Sequence, residues 1–431
     1  MASTILKGRH CVAETVAVGS ELLVGGRTDS NSLFIAEQLG KLGIDVRFKS
    51  IVGDDRDDIA AVLKTAASRA QVIVMTGGLG PTIDDCTREA VAKATGYRLA
   101  RRKEAFEMMK DRIAQWGRTP NKGQLRQGLM PTGAMIVMNP VGSAPGFILP
   151  WKRATIVALP GVPREMEPML REGVIPHLAT LVRTTGLAAF HPVTRMVFHT
   201  YGLPEADVDA KLLGLVPRQA PVDLGMLASP ITVLVSLTTK PGRIVSPALM
   251  AELSQGVRDR LGPWIYGEGD DTMEAVVGRL LTDQKCTVAL AESCTGGLIG
   301  HRVTQVPGSS AYLDRGVICY SNRAKTELVG VPEDVITRHG AVSAEVAAAM
   351  AKGIFERSGV SVGLGVTGIA GPGGATATKP VGLVFIGLHG ANGKSVTREF
   401  RFHGDRTVVK QRAAQAALNL LRQWLLDRHL S

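Results

Sequence analysis

Three times in this chain an apolar run of strand length ends in a glycine-rich turn. Val72 to Met75 leads into Thr76-Gly77-Gly78-Leu79-Gly80-Pro81-Thr82-Ile83-Asp84-Asp85, and Thr287 to Leu290 into Ala291-Glu292-Ser293-Cys294-Thr295-Gly296-Gly297. Ser361 to Val366 leads into Thr367-Gly368-Ile369-Ala370-Gly371-Pro372-Gly373-Gly374. The first two turns open onto helical patterns, and strand, turn and helix in that order build an α/β sheet whose ligand crevice lies at the carboxyl ends of the strands. The N-terminal part keeps this rhythm: strands at Cys11 to Val18, Val46 to Val52 and Val72 to Met75 alternate with helices at Asn31 to Leu42 and Ile59 to Ala67. That alternation predicts a parallel sheet covered by helices. Helices near Asp85 to Ala94, Lys103 to Gln115 and Pro163 to Leu170 follow, with strands at Met135 to Met138 and Thr155 to Leu159.

At 431 residues the chain has length for about three domains. We divide it into 1–178, 179–268 and 269–431, the middle segment being a small α+β module without glycine-rich phosphate loops. That module has a strand at Thr194 to His199, a helix near Glu205 to Leu213 and two strands around Ile231 to Thr238. After Gly269 the alternation resumes and ends in a helix from about Asp405 to Leu426. The net charge of +11 favours acidic ligands, phosphates or nucleic acid. Aromatic residues are only 4%, which leaves few rings for base stacking and turns the choice toward small phosphorylated nucleotides. Five cysteines without a C-x-x-C pair argue for a reducing, cytoplasmic compartment and against a zinc ribbon. The uncharged stretches Gln127 to Trp151 and Gly359 to Thr378 are cut by Gly and Pro, so loops and short strands are expected there rather than membrane spans.

Glycines after a strand let backbone N–H groups approach an anion, with a helix N-terminus adding positive potential. Asp84 and Asp85 sit at the same turn. Two carboxylates repel a phosphate unless a divalent cation lies between them, which points to metal-assisted phosphoryl chemistry; the alternative is that they cap the helix. Ser293 at its turn is placed as a nucleophile with oxyanion donors beside it, or as a helix N-cap. Cys294 is the rival nucleophile, but the nearest histidine, His301, is expected too far along the helix to activate it. In Tyr320-Ser321-Asn322-Arg323-Ala324-Lys325 a strand gives way to a helix, and Lys325 falls in its first turn, where the dipole disfavours a cation. Such a lysine serves as general base for serine, with Tyr320 relaying or orienting the proton, or is simply a solvated lysine. Arg406, in His403-Gly404-Asp405-Arg406, is a phosphate clamp or an ordinary charge at a helix start.

Further motifs are Val18-Gly19-Ser20-Glu21-Leu22-Leu23, Asp29-Ser30-Asn31, Asn139-Pro140-Val141-Gly142-Ser143-Ala144-Pro145-Gly146 and Pro160-Gly161-Val162-Pro163-Arg164-Glu165-Met166. With the first glycine loop they resemble, in order over about residues 11 to 178, the N-terminal domain of the CinA family (competence/damage-inducible proteins). That domain is itself similar to the molybdopterin-binding fold. The resemblance implies an ADP-ribose pyrophosphatase yielding AMP and ribose 5-phosphate with a divalent metal (Mg, Mn or Co). Gly77, Gly78, Gly80, Thr82, Ser143 and Gly146 would then lie at phosphate, Asp84 and Asp85 at metal, and Glu21, Asn31 and Glu165 elsewhere in the motif.

From about 270 to 428 the segments A-E-S-C-T-G-G, Y-S-N-x-x-K, G-x-x-G-x-A-G-P and G-D-R resemble the family's C-terminal nicotinamide mononucleotide deamidase domain. The implied reaction hydrolyses the nicotinamide carboxamide, giving nicotinic acid mononucleotide and ammonia without a cofactor. By this resemblance Ser293, Tyr320 and Lys325 are catalytic, while Thr295, Gly296, Gly297, Asn322, Thr367, Gly368, Gly371 and Arg406 contact substrate. The middle module is similar to a KH fold, but it lacks the G-x-x-G loop with which such folds clamp nucleic acid. A spacer or dimerisation element is expected instead, and the resemblance implies a homodimer. Two other classes compete: a molybdenum-cofactor transferase or adenylyltransferase with a regulatory C-terminal domain, and a non-catalytic nucleic-acid-associated protein of competence or repair.

Overall fold

The structure, a computed structural model, describes residues 11–184, 193–240, 243–391 and 393–427. The chain forms two compact units, one running to Thr194 and including Thr238–Ser246, the other comprising Arg195–Leu237 and Pro247–Ser431.

In the first unit the strands are β1 (Val12–Val18), β2 (Asp45–Val52), β3 (Val72–Thr76), β4 (Leu99–Arg101), β5 (Leu129–Pro131), β6 (Met135–Val137), β7 (Gly146–Trp151) and β8 (Ala154–Leu159). Six of them form one sheet in the order β2-β1-β3-β8-β7-β6, and β4 pairs with β5 apart from it. The four strands β2, β1, β3 and β8 are parallel, but β7 and β6 run antiparallel. The sheet is therefore mixed, because β7, hidden in the Gly- and Pro-rich stretch, turns back into β8 as a hairpin. β1 and β3 are buried on both faces, as the continuous apolar runs require. The helix Arg56–Arg69 is capped by Asp55, whose carboxylate accepts the N–H groups of Asp57 and Asp58, and it buries Ile59, Leu63 and Ala66 on one stripe. Lys103–Gln115 likewise buries Ala105, Met109 and Ile113, four residues apart. The helix expected to end at Leu170 continues through a π-helical turn, Met169–Val174, into Ile175–Thr184. Position 178 thus falls inside a helix whose Leu178 and Val182 belong to the N-terminal core, and the boundary expected there moves to the end of that helix.

In the second unit β9 (Arg195–Thr200), β10 (Val222–Ala228), β11 (Val233–Thr239) and β12 (Ile265–Glu268) form a sheet in the order β10-β11-β9-β12, flanked by helices Glu205–Leu212 and Pro247–Leu261. This KH-like module is fastened to the C-terminal domain. Arg422 donates to the Ile265 carbonyl at 2.7 Å and Arg412 to the Pro230 carbonyl at 2.8 Å. The C-terminal domain adds β13 (Val288–Glu292), β14 (Leu313–Ile318), β15 (Val362–Gly368), β16 (Leu383–Gly390) and β17 (Ser395–Arg401). Their order is β14-β13-β15-β16-β17, with β13 parallel to β14 and β15 and the last two strands antiparallel. The closing helix, Arg406–Asp427, packs its Val409, Ala413, Leu421 and Leu425 into the core of this sheet. No helix among the described residues is long and apolar enough to cross a membrane. No disulfide joins the five cysteines.

Candidate active site

β13 is the sheet position flanked by parallel neighbours on both sides, and the turn after it carries Ser293. The Ser293 N–H continues the ladder to the Val366 carbonyl at 2.9 Å, which fixes the residue at the end of the strand. Gly296 and Gly297 then adopt φ of 60° and 90°, a reversal that suits glycine. The helix begins at Leu298 rather than Thr295, with Gly297 as its N-cap, so Ser293 caps nothing. The helix's N–H groups are instead filled from within: Glu292, 1% exposed, accepts from Gly297 at 3.0 Å, Ile299 at 3.1 Å and Gly300 at 2.8 Å. The N–H groups of Cys294 and Thr295 donate to no backbone carbonyl among the described residues and face the Cys294 sulfur.

Ser321 caps the helix Asn322–Val329 by accepting the Ala324 N–H, which sets Lys325 in the first turn, facing inward. Lys325 is 2% exposed, and its Nζ lies 3.0 Å from Ser293 Oγ, 3.2 Å from the Cys319 carbonyl and 3.4 Å from the Tyr320 carbonyl. Burial pulls its pKa below the ordinary 10.5, and no carboxylate opposes the shift. A neutral amine has two N–H donors and one lone pair, which match two carbonyls and one serine hydroxyl. The Tyr320 phenol, by contrast, is exposed and accepts from Arg406 Nη2 at 2.7 Å, so it does not lie between Ser293 and Lys325. The expected proton relay through the phenol is corrected: what Tyr320 offers Lys325 is its backbone carbonyl. Arg406 Nη1 meanwhile holds the Gly371 carbonyl at 2.7 Å. Cys294 is buried, and burial pushes its thiol up to about 12, which disfavours the thiolate that attack would need. His301 is the fourth residue of Leu298–Thr304, not two turns along the helix as expected, and no hydrogen bond joins it to Cys294 among the described residues.

In the N-terminal unit the glycine loop lines a cleft of about 430 Å³ with Glu21, Asp54, Asp84, Asp85, Ser143 and Glu165. Thr87 takes the Gly77 carbonyl through its hydroxyl and the Gly78 carbonyl through its N–H. Arg88, 1% exposed, takes those of Leu79 and Gly80 at 2.8 and 3.1 Å. With these carbonyls turned inward, planar trans peptides turn the N–H groups of Gly78, Leu79 and Gly80 the other way. Asp85 captures part of this nest: Oδ1 accepts from Gly80 N–H, and Oδ2 from the N–H and hydroxyl of Thr82. Gly78 and Leu79 remain as donors toward an anion.

Models of three domain families match the chain: the CinA C-terminal domain over residues 270–425, the "Probable molybdopterin binding domain" over 14–180, and the Damage-inducible protein CinA KH domain over 195–267. A relative from Caldicellulosiruptor bescii, named among the competence-damage inducible proteins, is 40% identical over 424 residues, spanning 96% of this chain and 100% of its own. The chain belongs to the CinA family. A CinA-like protein from Geotalea uraniireducens is 39% identical over 414 residues, 96% of this chain and 97% of its own. The solved CinA structure from Thermoplasma acidophilum, described as of unknown function, is 34% identical, with a TM-score of 0.36 over 38% of this chain and 96% of its own. Both outer CinA domains are compatible with an enzyme.

The CinA motif residues do not all stand where their motifs suggest. Thr82 and the Gly80 N–H are engaged by Asp85, and Gly77 N–H by the Leu159 carbonyl at 3.0 Å, so these donors are not open to phosphate. Gly146 opens β7, where a Cβ would lie 2.6 Å from the Ala158 carbonyl, so close strand packing alone accounts for a glycine there. Asp85 spends both carboxylate oxygens on donors of its own loop, and neither Asp84 nor Asp85 caps Thr87–Thr95, whose N-cap is Cys86. Among the described residues no three His, Cys, Asp or Glu side chains gather to hold a metal. Ser143 donates to Gln127, Glu165 accepts from Asn139 at 2.7 Å, and Asn31 donates to the Gly161 carbonyl at 2.8 Å, so these three tie the rim of the cleft together. In the C-terminal domain Thr367 is buried and donates to the Ala341 carbonyl at 2.7 Å, Asn322 is exposed at the start of its helix, and Gly368 packs against Val384. Thr295 is buried beside Ser293 with its hydroxyl unpartnered among the described residues. Sequence reasoning missed the roles of Glu292 and Arg88; the signal was an acidic or basic residue beside each glycine turn, without a visible partner.

Proposed function

We propose that the C-terminal domain hydrolyses the carboxamide of nicotinamide mononucleotide to nicotinic acid mononucleotide and ammonia. The observation that carries this reading is the buried Lys325 amine, 3.0 Å from Ser293 Oγ and without a carboxylate partner. An amide is a weak electrophile, and hydrolysis needs both an activated nucleophile and donors for the oxyanion. Ser293 Oγ attacks the amide carbon as Lys325 takes its proton, and the N–H groups of Cys294 and Thr295 receive the oxyanion. Lys325 returns the proton to the leaving nitrogen, and ammonia departs from an acyl-serine. Water, deprotonated by Lys325, then attacks that ester; Lys325 passes the proton to the leaving Ser293 Oγ, and the carboxylic acid released gives its proton to solvent. Arg406 holds Tyr320 and the Gly371 loop together at the mouth.

For the N-terminal cleft the proposal is ADP-ribose hydrolysis to AMP and ribose 5-phosphate. Gly78 and Leu79 N–H groups receive a phosphate, with the buried Arg88 charge behind them; burial lowers its pKa to about 10, so it stays cationic at neutral pH. A divalent cation of the magnesium type binds through one or two carboxylates plus substrate oxygens, and the exposed Asp84 at the cleft fits that donor set. Bound there, such a cation would neutralise charge on the diphosphate. We assign both activities to a cytoplasmic homodimer in which one site takes a pyridine nucleotide and the other ADP-ribose. The test is product identification: nicotinic acid mononucleotide appearing with equimolar ammonia, and AMP from ADP-ribose in a reaction stopped by chelator. Absence of ammonia removes the first assignment, and chelator-resistant AMP formation removes the role given to Asp84.

A further inference from the structure

The C-terminal site has a cation that neither its motifs nor the deamidation steps employ. Lys410 lies one turn beyond Arg406 on the helix Arg406–Asp427, and residues four apart share a helix face. Its ammonium reaches the catalytic turn: a Cβ built on Gly296 would lie 3.5 Å from Lys410 Nζ. Lys410 is half-buried and has no hydrogen-bond or ion-pair partner among the described residues. Its neighbour Arg406 donates to Tyr320 Oη and the Gly371 carbonyl, leaving three of its five N–H donors unassigned. The carboxylates at this end of the domain do not pair with either cation. Glu292 is engaged by the helix N–H groups, and Asp405 accepts the Val408 N–H at 2.9 Å. Two adjacent cations with open donors, bordering the turn that holds the nucleophile, are matched by the three terminal oxygens of a phosphomonoester.

We infer that Lys410, together with Arg406, reads the phosphate of the amide substrate and sets a preference for nucleotides over the corresponding nucleosides. The identity of the amide rests on the deamidation reading; the anion preference is tested independently of it. Binding is measured by isothermal titration in the Ser293→Ala background, where turnover does not intrude. The ligands are nicotinamide mononucleotide and nicotinamide riboside, which share the amide and differ by the phosphate. Lys410→Met is expected to lower the nucleotide-over-riboside affinity ratio about tenfold, whereas Lys410→Arg keeps it within about threefold, since a charge-assisted contact is removed in one and retained in the other. An unchanged ratio in Lys410→Met, an equal loss for both ligands, or a nucleotide that does not bind would each overturn the inference. Ammonia release by the chain with Ser293 intact decides the deamidation reading separately: release together with an unchanged ratio in Lys410→Met overturns the inference alone.

Discussion

Replacing Lys325 with methionine exchanges a buried amine for an apolar side chain of similar length, and the consequence depends on pH in a calculable way. Lys325 is 2% exposed, and burial holds its folded pKa below the 10.5 expected in the unfolded chain. Between those two values the unfolded chain binds more protons than the folded one, so stability rises with pH across the window. Above 10.5 the amine is neutral in both states and the gain stops; below the folded value both are protonated and the burial penalty is felt in full. The slope contributed by one group is at most about 1.4 kcal/mol per pH unit. Lys325→Met lacks this titration and serves as the reference in which all other groups cancel. Urea unfolding of both proteins from neutral to strongly alkaline pH should show wild type gaining on the variant within the window. Ammonia release should rise with the same ionisation and fall by about 10²–10⁴-fold in Lys325→Met, the usual loss for a removed general base. Parallel stability curves, or a rate profile whose midpoint reaches the ordinary lysine value, would refute the neutral-amine argument.

Two further outcomes follow from the carboxylates inside the turns. Glu292→Ala strips the acceptor from three N–H groups and should cost about 3 kcal/mol in urea unfolding, with Glu292→Gln recovering part of it; a loss too small to measure would contradict the capping role. Asp84→Ala should suppress magnesium-dependent ADP-ribose hydrolysis with little change in melting. Asp85→Ala should lower stability by about 1–2 kcal/mol, because Gly80 and Thr82 lose their acceptor; equal behaviour of the two variants would show that the division of labour is wrong.

The sequence made strands such as Val72–Thr76 and helices such as Lys103–Gln115 legible because their apolar periods are clean. β7 was not legible, since Gly146 and Pro150 punctuate it and its partner β8 lies just beyond a turn. The nearness of Ser293 and Lys325 could be argued from two strand ends meeting helix starts, but the partner of Tyr320 could not, because Arg406 is remote in the chain. Asp85 read as a metal ligand or a helix cap, and Glu292 carried no reading of its own. Only backbone geometry shows that each already fills the anion-binding N–H groups of its own turn. Lys410 follows Arg406 by one turn and was readable as its helical neighbour; nothing in sequence says that the ammonium reaches Gly296.

The central claim is that Ser293, and not the cysteine beside it, attacks the amide with the help of Lys325. Ammonia release from nicotinamide mononucleotide by wild type, Ser293→Ala and Cys294→Ala tests it most directly. The account predicts release by wild type and Cys294→Ala, with loss of at least about 10³-fold in Ser293→Ala. Undiminished release by Ser293→Ala would contradict it.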